Sequence, residues 1–141
     1  MNSLFKQYDG IFREETLGVK NSPKRGFDYS PFALQDAMGE RNVKKAWIEY
    51  IKLRLGGIEA EDLIHKIISK TRDMVAINQG ADKEDLGIKD YPFAKSKRDI
   101  KNWKTEELKN FYTKLVEIYH RARMGSGNEL DIALEKLLLS I

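Results

Sequence analysis

The sequence of 141 residues contains no cysteine, and this absence removes several classes of chemistry together. Disulfide bonds, zinc–thiolate sites and thiol nucleophiles all need cysteine, so none of them operates here. The lack of cysteine fits a reducing compartment, and we expect a cytoplasmic protein. No apolar run approaches the roughly 20 residues of a membrane span. Residues 1–12 also lack the basic flank and apolar block of a secretory signal.

Motifs for catalysis and nucleotide binding are missing as well. The sequence has no G-x-x-x-x-G-K-[ST] loop and no G-x-G-x-x-G turn, and no Ser/His/Asp set has the spacing of a triad. Glu117 and His120 form one Glu-x-x-His pair of the kind that di-iron bundles use twice, and Glu61 with His65 is the only candidate for a second. A surface ion pair explains each more simply. We therefore expect a protein that is not an enzyme and that holds no metal or cofactor.

The composition that remains is that of a soluble domain with a hydrophobic core. Hydrophobic residues make up 41% of the chain and charged residues 33%, and the formal net charge of +3 is slight for this length. Such a charge permits a nucleic-acid partner without arguing for one. Residues 1–29 are rich in charge and contain three glycines and a proline. We expect them to form a partly flexible stub, either the remnant of a preceding domain or added sequence, before one helical domain over residues 30–141.

Capping residues and apolar spacing divide that domain into helices. Ser30, followed by proline, begins a short helix that runs to Met38 and is stopped by Gly39, and Asn42 begins a second helix that stops at a Gly-Gly pair. Apolar residues recur at helical spacing over residues 60–78, which predicts a third helix. A polar loop is expected over residues 79–89.

Three more helices are predicted after this loop. One spans residues 91–103, the next has Thr105 as its N-cap, and the last runs from its cap at Asn128 to the end of the chain. No strand is needed, and the short connections favour antiparallel packing. The predicted fold class is therefore all-α, an antiparallel bundle of about five to six helices.

The last helix has apolar side chains on two opposite faces. One broad sector of the helix holds six of them: Leu130, Ala133, Leu134, Leu137, Leu138 and Ile141. At about 100° per residue, Ile132 and Leu139 point roughly 180–200° away from Leu130. One apolar face holds a helix on its own domain, whereas a second face needs a partner. We therefore predict a subunit interface at Ile132 and Leu139, joined by Trp103 if its side chain is exposed.

The size of this second face predicts how the isolated chain behaves. Burying Ile132 and Leu139 contributes about 2–4 kcal/mol at typical apolar transfer values. This is too little for a stable dimer, given the cost of association. We expect a monomer in isolation that assembles with other subunits.

A basic cluster with neighbouring aromatic residues supports an alternative, a small helical DNA-binding module. The candidate DNA contacts are Lys95, Lys97, Arg98, Lys101, Arg121 and Arg123. Proteins that bind single strands mix cations and aromatics in this way. The simpler interpretation is a solvated helix face with Tyr91, Phe93 and Trp103 turned inward. For Arg121 and Arg123 the simpler interpretation is that their charges complement the dipole at a helix C-terminus.

Three segments of the chain carry a family likeness. The first, within residues 30–47, has a Phe-x-Leu-x-Asp-Ala-x-Gly pattern followed by Lys-Ala, carried by Phe32, Leu34, Asp36, Ala37, Gly39, Lys45 and Ala46. The second is carried by Pro92, Phe93 and Lys97. The third lies at the end of the chain and is carried by Tyr119, His120, Arg121, Ala122, Arg123, Ala133, Leu134, Glu135, Leu137 and Leu139. Together, in this order, they resemble the C-terminal collar domain of the DNA polymerase III delta subunit family, the clamp-loader subunit that opens the sliding clamp.

The resemblance covers residues 30–141 and implies a function. Such a collar domain hydrolyses no ATP and joins neighbouring subunits in a ring, so the implied partners are clamp-loader subunits of the tau/gamma and delta-prime types. Primer–template DNA is a further candidate partner, and no membrane is implied. The family's ATPase-like domain would precede residue 30, so the chain would be a fragment of a delta-like subunit or a stand-alone collar homologue. The expected function is that of a non-catalytic oligomerisation domain in DNA replication.

Overall fold

The computed structural model of the chain describes residues 30–125 and 127–141, without the side chains of residues 127 and 128. The predicted stub over residues 1–29 lies outside this description. The cap predicted at Asn128 is misplaced, because the last helix already begins at Gly127 and Asn128 lies within it. The described residues form seven α-helices and one short 3₁₀ helix, and no strand occurs among them. The all-α prediction is therefore confirmed, with one helix more than the expected five to six.

The helices follow one another through short connections. In chain order they are α1 (Pro31–Gly39), α2 (Val43–Leu55), α3 (Ala60–Asn78), α4 (Lys83–Leu86), α5 (Asp90–Asp99), α6 (Thr105–Met124) and α7 (Gly127–Leu139). A 3₁₀ helix over Ile100–Asn102 lies between α5 and α6. The long helix α3 is central, because it packs against α1, α5, α6 and α7.

Local capping accounts for the starts of the first two helices. The Ser30 hydroxyl accepts a hydrogen bond from the Phe32 N–H (3.2 Å), and the Asn42 side chain accepts one from the Lys45 N–H (3.1 Å). Both predicted caps are confirmed, because each side chain satisfies a backbone donor that the first turn leaves free.

The predicted cap at Thr105 is wrong by one residue. Lys104 occupies the N-cap position of α6, and Thr105 is the first residue of the helix. The Glu107 carboxylate accepts the Lys104 N–H at 3.1 Å, so a side chain of the first turn satisfies the backbone. The Thr105 hydroxyl instead accepts a hydrogen bond from Asn78, which ties the start of α6 to the end of α3.

The polar segment after α3 contains a helical turn where a loop was expected. The Asp85 carboxylate accepts the Asp82 N–H at 2.9 Å, and Gly87 ends α4 with a φ of 68°. Lys83 forms an ion pair with Asp90, the first residue of α5. Local side-chain hydrogen bonds of this kind form a single turn without any apolar stripe, which is why apolar spacing missed it.

The helix predicted over residues 91–103 is shorter than expected. Helix α5 ends at Asp99, the backbone tightens into the 3₁₀ helix, and Trp103 is extended. The start of α5 accommodates its proline in the first turn, as Pro92 requires.

The core lies between α3 and the inner faces of the surrounding helices. Helix α7 contributes four buried leucines: Leu130, Leu134, Leu137 and Leu138. The inward apolar face that the sequence predicts for α7 is therefore confirmed at these positions. Among the residues described here, no helix has both the length and the apolar character that crossing a bilayer needs.

Gly39 allows α1 and α5 to approach closely. A Cβ atom at this position would lie 2.3 Å from Oδ2 of Asp99, a completely buried carboxylate that pairs with Lys70 at 2.9 Å. The sequence predicts that Gly39 stops the helix after Met38, but Gly39 is itself the last residue of α1. The left-handed turn that ends the helix is at Arg41, with a φ of 58°. Glycine is required here for packing and not for backbone freedom.

Candidate functional site

The outer side of α7 carries two exposed apolar residues. Ile132 is 56% exposed and Leu139 is 51% exposed, although four leucines of the same helix are buried. The two are seven residues apart, so they project on one side of the helix. This exposure agrees with the second apolar face expected from the sequence, while the role of that face as a subunit interface stays a prediction.

Polar links set the orientation of α7 against α2. The Trp47 indole N–H donates to Glu135 (2.8 Å), and the Arg54 guanidinium pairs with Asp131 (3.1 Å). Trp47 precedes Arg54 on α2, whereas its partner Glu135 follows Asp131 on α7, so the two helices are antiparallel. The Tyr50 hydroxyl also donates to Asp131. These bonds fix the rotation of α7 that leaves its second face outward.

The same network shifts the pKa of two of its members. The hydrogen bond from Arg54 is the main reason that the pKa of Asp131 falls below its usual value. Burial, reinforced by the neighbouring Asp131, raises the pKa of Tyr50. Asp131 is therefore a carboxylate and Tyr50 a neutral donor at neutral pH. Sequence reasoning missed this pairing, because no local pattern connects a tyrosine on α2 with an aspartate on α7.

Helix α2 adds a second pair of exposed apolar residues that the sequence analysis missed. Ile48 is 39% exposed and Leu55 is 73% exposed, and they are again seven residues apart. Both α2 and α7 turn their buried residues toward the common core and face each other through the polar links. Their exposed stripes therefore lie on the same outer side of the helix pair. The sequence signal that could have identified this pair is the seven-residue spacing of Ile48 and Leu55, which also separates Ile132 and Leu139.

We name this surface the α2–α7 face, defined by Ile48, Leu55, Ile132 and Leu139. It continues toward α6 as a groove of about 530 Å³, which is lined by Ile118 and Arg121 of α6 as well as by Ile132. The face thus combines a two-helix apolar surface with an adjoining groove. Its chemistry suits the docking of another apolar protein surface.

Trp103 does not belong to this surface. Its side chain is 8% exposed, its indole N–H donates to the Gly39 carbonyl at 3.2 Å, and its ring lies 5.1 Å from that of Phe111. The Arg41 guanidinium covers the ring at 4.4 Å. The condition that the sequence analysis set for Trp103 is not met, because the chain turns inward after the 3₁₀ helix and the indole finds a backbone acceptor.

The structure divides the basic cluster of α5. The Lys95 ammonium lies 2.6 Å from the Asp36 carboxylate and 5.0 Å from the Tyr91 ring centre, so this lysine is paired and largely covered. Lys97, Arg98 and Lys101 are exposed. Three of the four predicted contacts on this segment are thus presented to solvent, and Lys95 is directed inward by its acidic neighbour.

The basic end of α6 is separate from that cluster. Arg123 donates to the Tyr119 hydroxyl at 3.0 Å and lies 3.7 Å from Glu61, near the start of α3. Helix α5 instead meets α3 near its middle, through the ion pair at Lys70. Arg121 borders the groove between α6 and α7. The fold therefore does not join the two predicted basic patches into one surface.

The candidate metal ligands do not converge. Glu61 faces Arg123, and the His65 ring packs edge-on against Tyr119 at 4.7 Å. Within residues 30–125 and 127–141, no group of three or more His, Cys, Asp or Glu side chains is arranged to hold a metal ion.

Comparisons of the chain with protein-family models, with curated proteins and with solved structures found no match. The likeness to the delta-subunit family therefore depends on the residues quoted above. Several of these have packing roles, since Leu34, Ala37 and Ala46 are completely buried at the α1–α2 junction.

Proposed function

We propose that this chain is a non-catalytic assembly module, the collar domain of a delta-type clamp-loader subunit, which joins neighbouring subunits of the ring through the α2–α7 face. The observation that carries the proposal is the presence of four exposed apolar side chains on two adjacent helices. Exposed apolar residues gathered on one side of a domain favour its binding to another protein surface.

The core of the domain does not include the side chains of the α2–α7 face. The buried set already includes the inner faces of both helices, for example Tyr50 and Leu53 on α2 and Leu134 and Leu138 on α7. Completing the burial of four half-exposed side chains contributes about 3–6 kcal/mol at ordinary apolar transfer values. The cost of association is of order 4–15 kcal/mol. The balance favours an isolated monomer that assembles only where other contacts add to this face.

The delta-like motif gives independent support to the collar assignment. Its residues are packing residues here, with Leu34, Ala37 and Ala46 buried and Gly39 allowing the approach of α5. The motif residues therefore determine how α1 packs against α2 and α5. The ring-forming role is the one that the family resemblance implies for such a domain.

Co-elution with clamp-loader subunits tests the proposal. The chain is mixed with tau/gamma and delta-prime subunits, and the complex is measured by size-exclusion chromatography with light scattering. The unmodified chain is expected to enter the complex, and the double variant Ile132→Asp, Leu139→Asp is expected to remain outside it. The double variant Asn110→Asp, Thr113→Asp places the same two charges at exposed polar positions of α6 and serves as the matched control, which should still assemble.

The outcomes separate the two parts of the proposal. Failure of the unmodified chain to enter the complex contradicts the clamp-loader assignment. Entry of the double variant as efficiently as the unmodified chain contradicts the assignment of the interface to the α2–α7 face.

A second candidate is supported by the exposed basic residues of α5 and the 3₁₀ helix. Lys97, Arg98 and Lys101 are presented to solvent, as a contact to DNA phosphates requires. This candidate predicts that the isolated chain binds single-stranded or primed DNA at low salt. Lys97→Ala with Lys101→Ala should then weaken binding and reduce the salt slope by about 0.7 per lost contact on a single strand. Absence of binding at low salt contradicts it.

A further inference from the structure

A cleft of about 400 Å³ lies on another part of the domain, between α1, α3 and α5. Its lining includes Phe32 from α1, Asp73 from α3, and Tyr91 and Pro92 from α5. The lining is mainly apolar, but Asp73 places a carboxylate in the wall. None of these residues belongs to the α2–α7 face.

The charges around the cleft leave one carboxylate without a strong partner. Lys95 pairs with Asp36 at 2.6 Å, and Lys70 pairs with the buried Asp99 at 2.9 Å. The side chain of Asp73 is 13% exposed, and the ion-pair contact it makes among the described residues is a 3.5 Å approach from Arg72, which is itself mostly exposed. Asp73 is therefore the carboxylate of the lining that lacks a close partner, although Arg72 and the Lys70 ammonium of the same wall partly offset its charge.

Burial is the main reason that the pKa of Asp73 lies above its ordinary value, and it outweighs the opposing effects of Arg72 and Lys70. A cation bound in the cleft would give this largely covered carboxylate a closer partner than Arg72. Charge-assisted hydrogen bonds are strongest in such surroundings.

Two large aromatic residues flank the cleft and are mostly exposed. Phe32 is 65% exposed and Tyr91 is 72% exposed. Aromatic residues are enriched where one protein binds another, so two exposed aromatics beside a recess favour a surface that another chain covers. The volume is large enough for two side chains, one of them aromatic.

We propose that the cleft between α1, α3 and α5 binds a peptide segment of a partner protein, one that carries an aromatic or aliphatic anchor next to an arginine or lysine. The anchor packs against Phe32 and Tyr91, and the basic side chain donates to Asp73. The proposal does not depend on the clamp-loader assignment, because it concerns different residues and the isolated chain.

Chemical-shift titration of the ¹⁵N-labelled chain tests this site directly. The probes are the capped tetrapeptides acetyl-Ala-Phe-Arg-Ala-amide, acetyl-Ala-Phe-Glu-Ala-amide and acetyl-Ala-Ala-Arg-Ala-amide, added to millimolar concentration. The Phe-Arg peptide is expected to shift resonances of α1, α3 and α5 and to bind about tenfold more tightly than either of the others. Tenfold corresponds to about one charge-assisted hydrogen bond.

Two variants assign the effect to the proposed residues. Asp73→Asn should remove the preference for arginine over glutamate, and Tyr91→Ala, at an exposed position, should weaken binding of both peptides that contain phenylalanine. Asp62→Asn is the matched control, since it makes the same change on the same face of α3, three turns away. The control should bind as the unmodified chain does. No shifts in α1, α3 and α5 with the Phe-Arg peptide, or equal binding by the Asp73 variant, would overturn the proposal.

Discussion

Replacing Gly39 by alanine is a sharp test of how the fold is held together. In a helix, alanine is favoured over glycine by up to about 1 kcal/mol, so local propensity alone predicts a gain in stability. The structure predicts a loss. The new Cβ atom would lie 2.3 Å from Oδ2 and 2.7 Å from Cγ of Asp99.

The magnitude follows from what must move. Asp99 is completely buried and pairs with Lys70 at 2.9 Å, so its carboxylate cannot swing into solvent. If α1 shifts and the ion pair survives, overpacking costs about 1–3 kcal/mol. If the ion pair breaks, the cost is about 3–5 kcal/mol. After a propensity gain of about 1 kcal/mol is subtracted, Gly39→Ala should lower the free energy of unfolding by about 0–2 kcal/mol in the first case and by about 2–4 kcal/mol in the second.

Thermal and urea unfolding followed by circular dichroism measure this loss. At about 4 °C per kcal/mol for a domain of this size, Tm should fall by up to about 8 °C if the ion pair survives and by about 8–16 °C if it breaks. Gly125→Ala is the matched control, because its Cβ would meet its nearest neighbour, the Arg121 carbonyl oxygen, at an ordinary 3.5 Å. The control should change stability by less than about 0.5 kcal/mol. A Gly39→Ala protein more stable than the unmodified chain, as helix propensity alone predicts, would refute this account of the α1–α5 contact.

Two further predictions concern α7. Leu134→Ala should cost about 2–5 kcal/mol, because that side chain is completely buried, whereas Leu139→Ala should cost less than about 1 kcal/mol; equal losses in urea unfolding would contradict the two-faced helix. The pKa of Asp131 is lowered in the folded state, so the stability it contributes is present above its ordinary pKa and is lost as pH falls through the folded value. Asp131→Asn should therefore flatten the acid side of a plot of Tm against pH, and an unchanged acid side would show that the link to Arg54 is unimportant.

Much of the helix pattern was predictable because its causes are local. Ser30 and Asn42 act as caps within three residues of themselves, and the inward leucines of α7 recur at helical spacing. The seven-residue separation of Ile132 and Leu139 likewise predicted the second apolar face of α7. Periodicity reports these features since it depends on neighbours along the chain alone.

The remaining features depend on contacts between distant segments. The need for glycine at position 39 arises from Asp99, and the inward direction of Lys95 arises from Asp36. Trp103 is buried because the Gly39 carbonyl accepts its indole N–H. Leu55 looks like a core residue in sequence and is exposed, because α2 packs on α7 through other positions. None of these follows from local spacing.

Methyl NMR of the α2–α7 face in the presence of clamp-loader subunits tests the central claim most directly. The chain, labelled at isoleucine and leucine methyl groups, is titrated with tau/gamma and delta-prime subunits. The account predicts that the signals of Ile48, Leu55, Ile132 and Leu139 shift or broaden, while those of buried leucines such as Leu134 move little. Unchanged signals from all four exposed residues would contradict it.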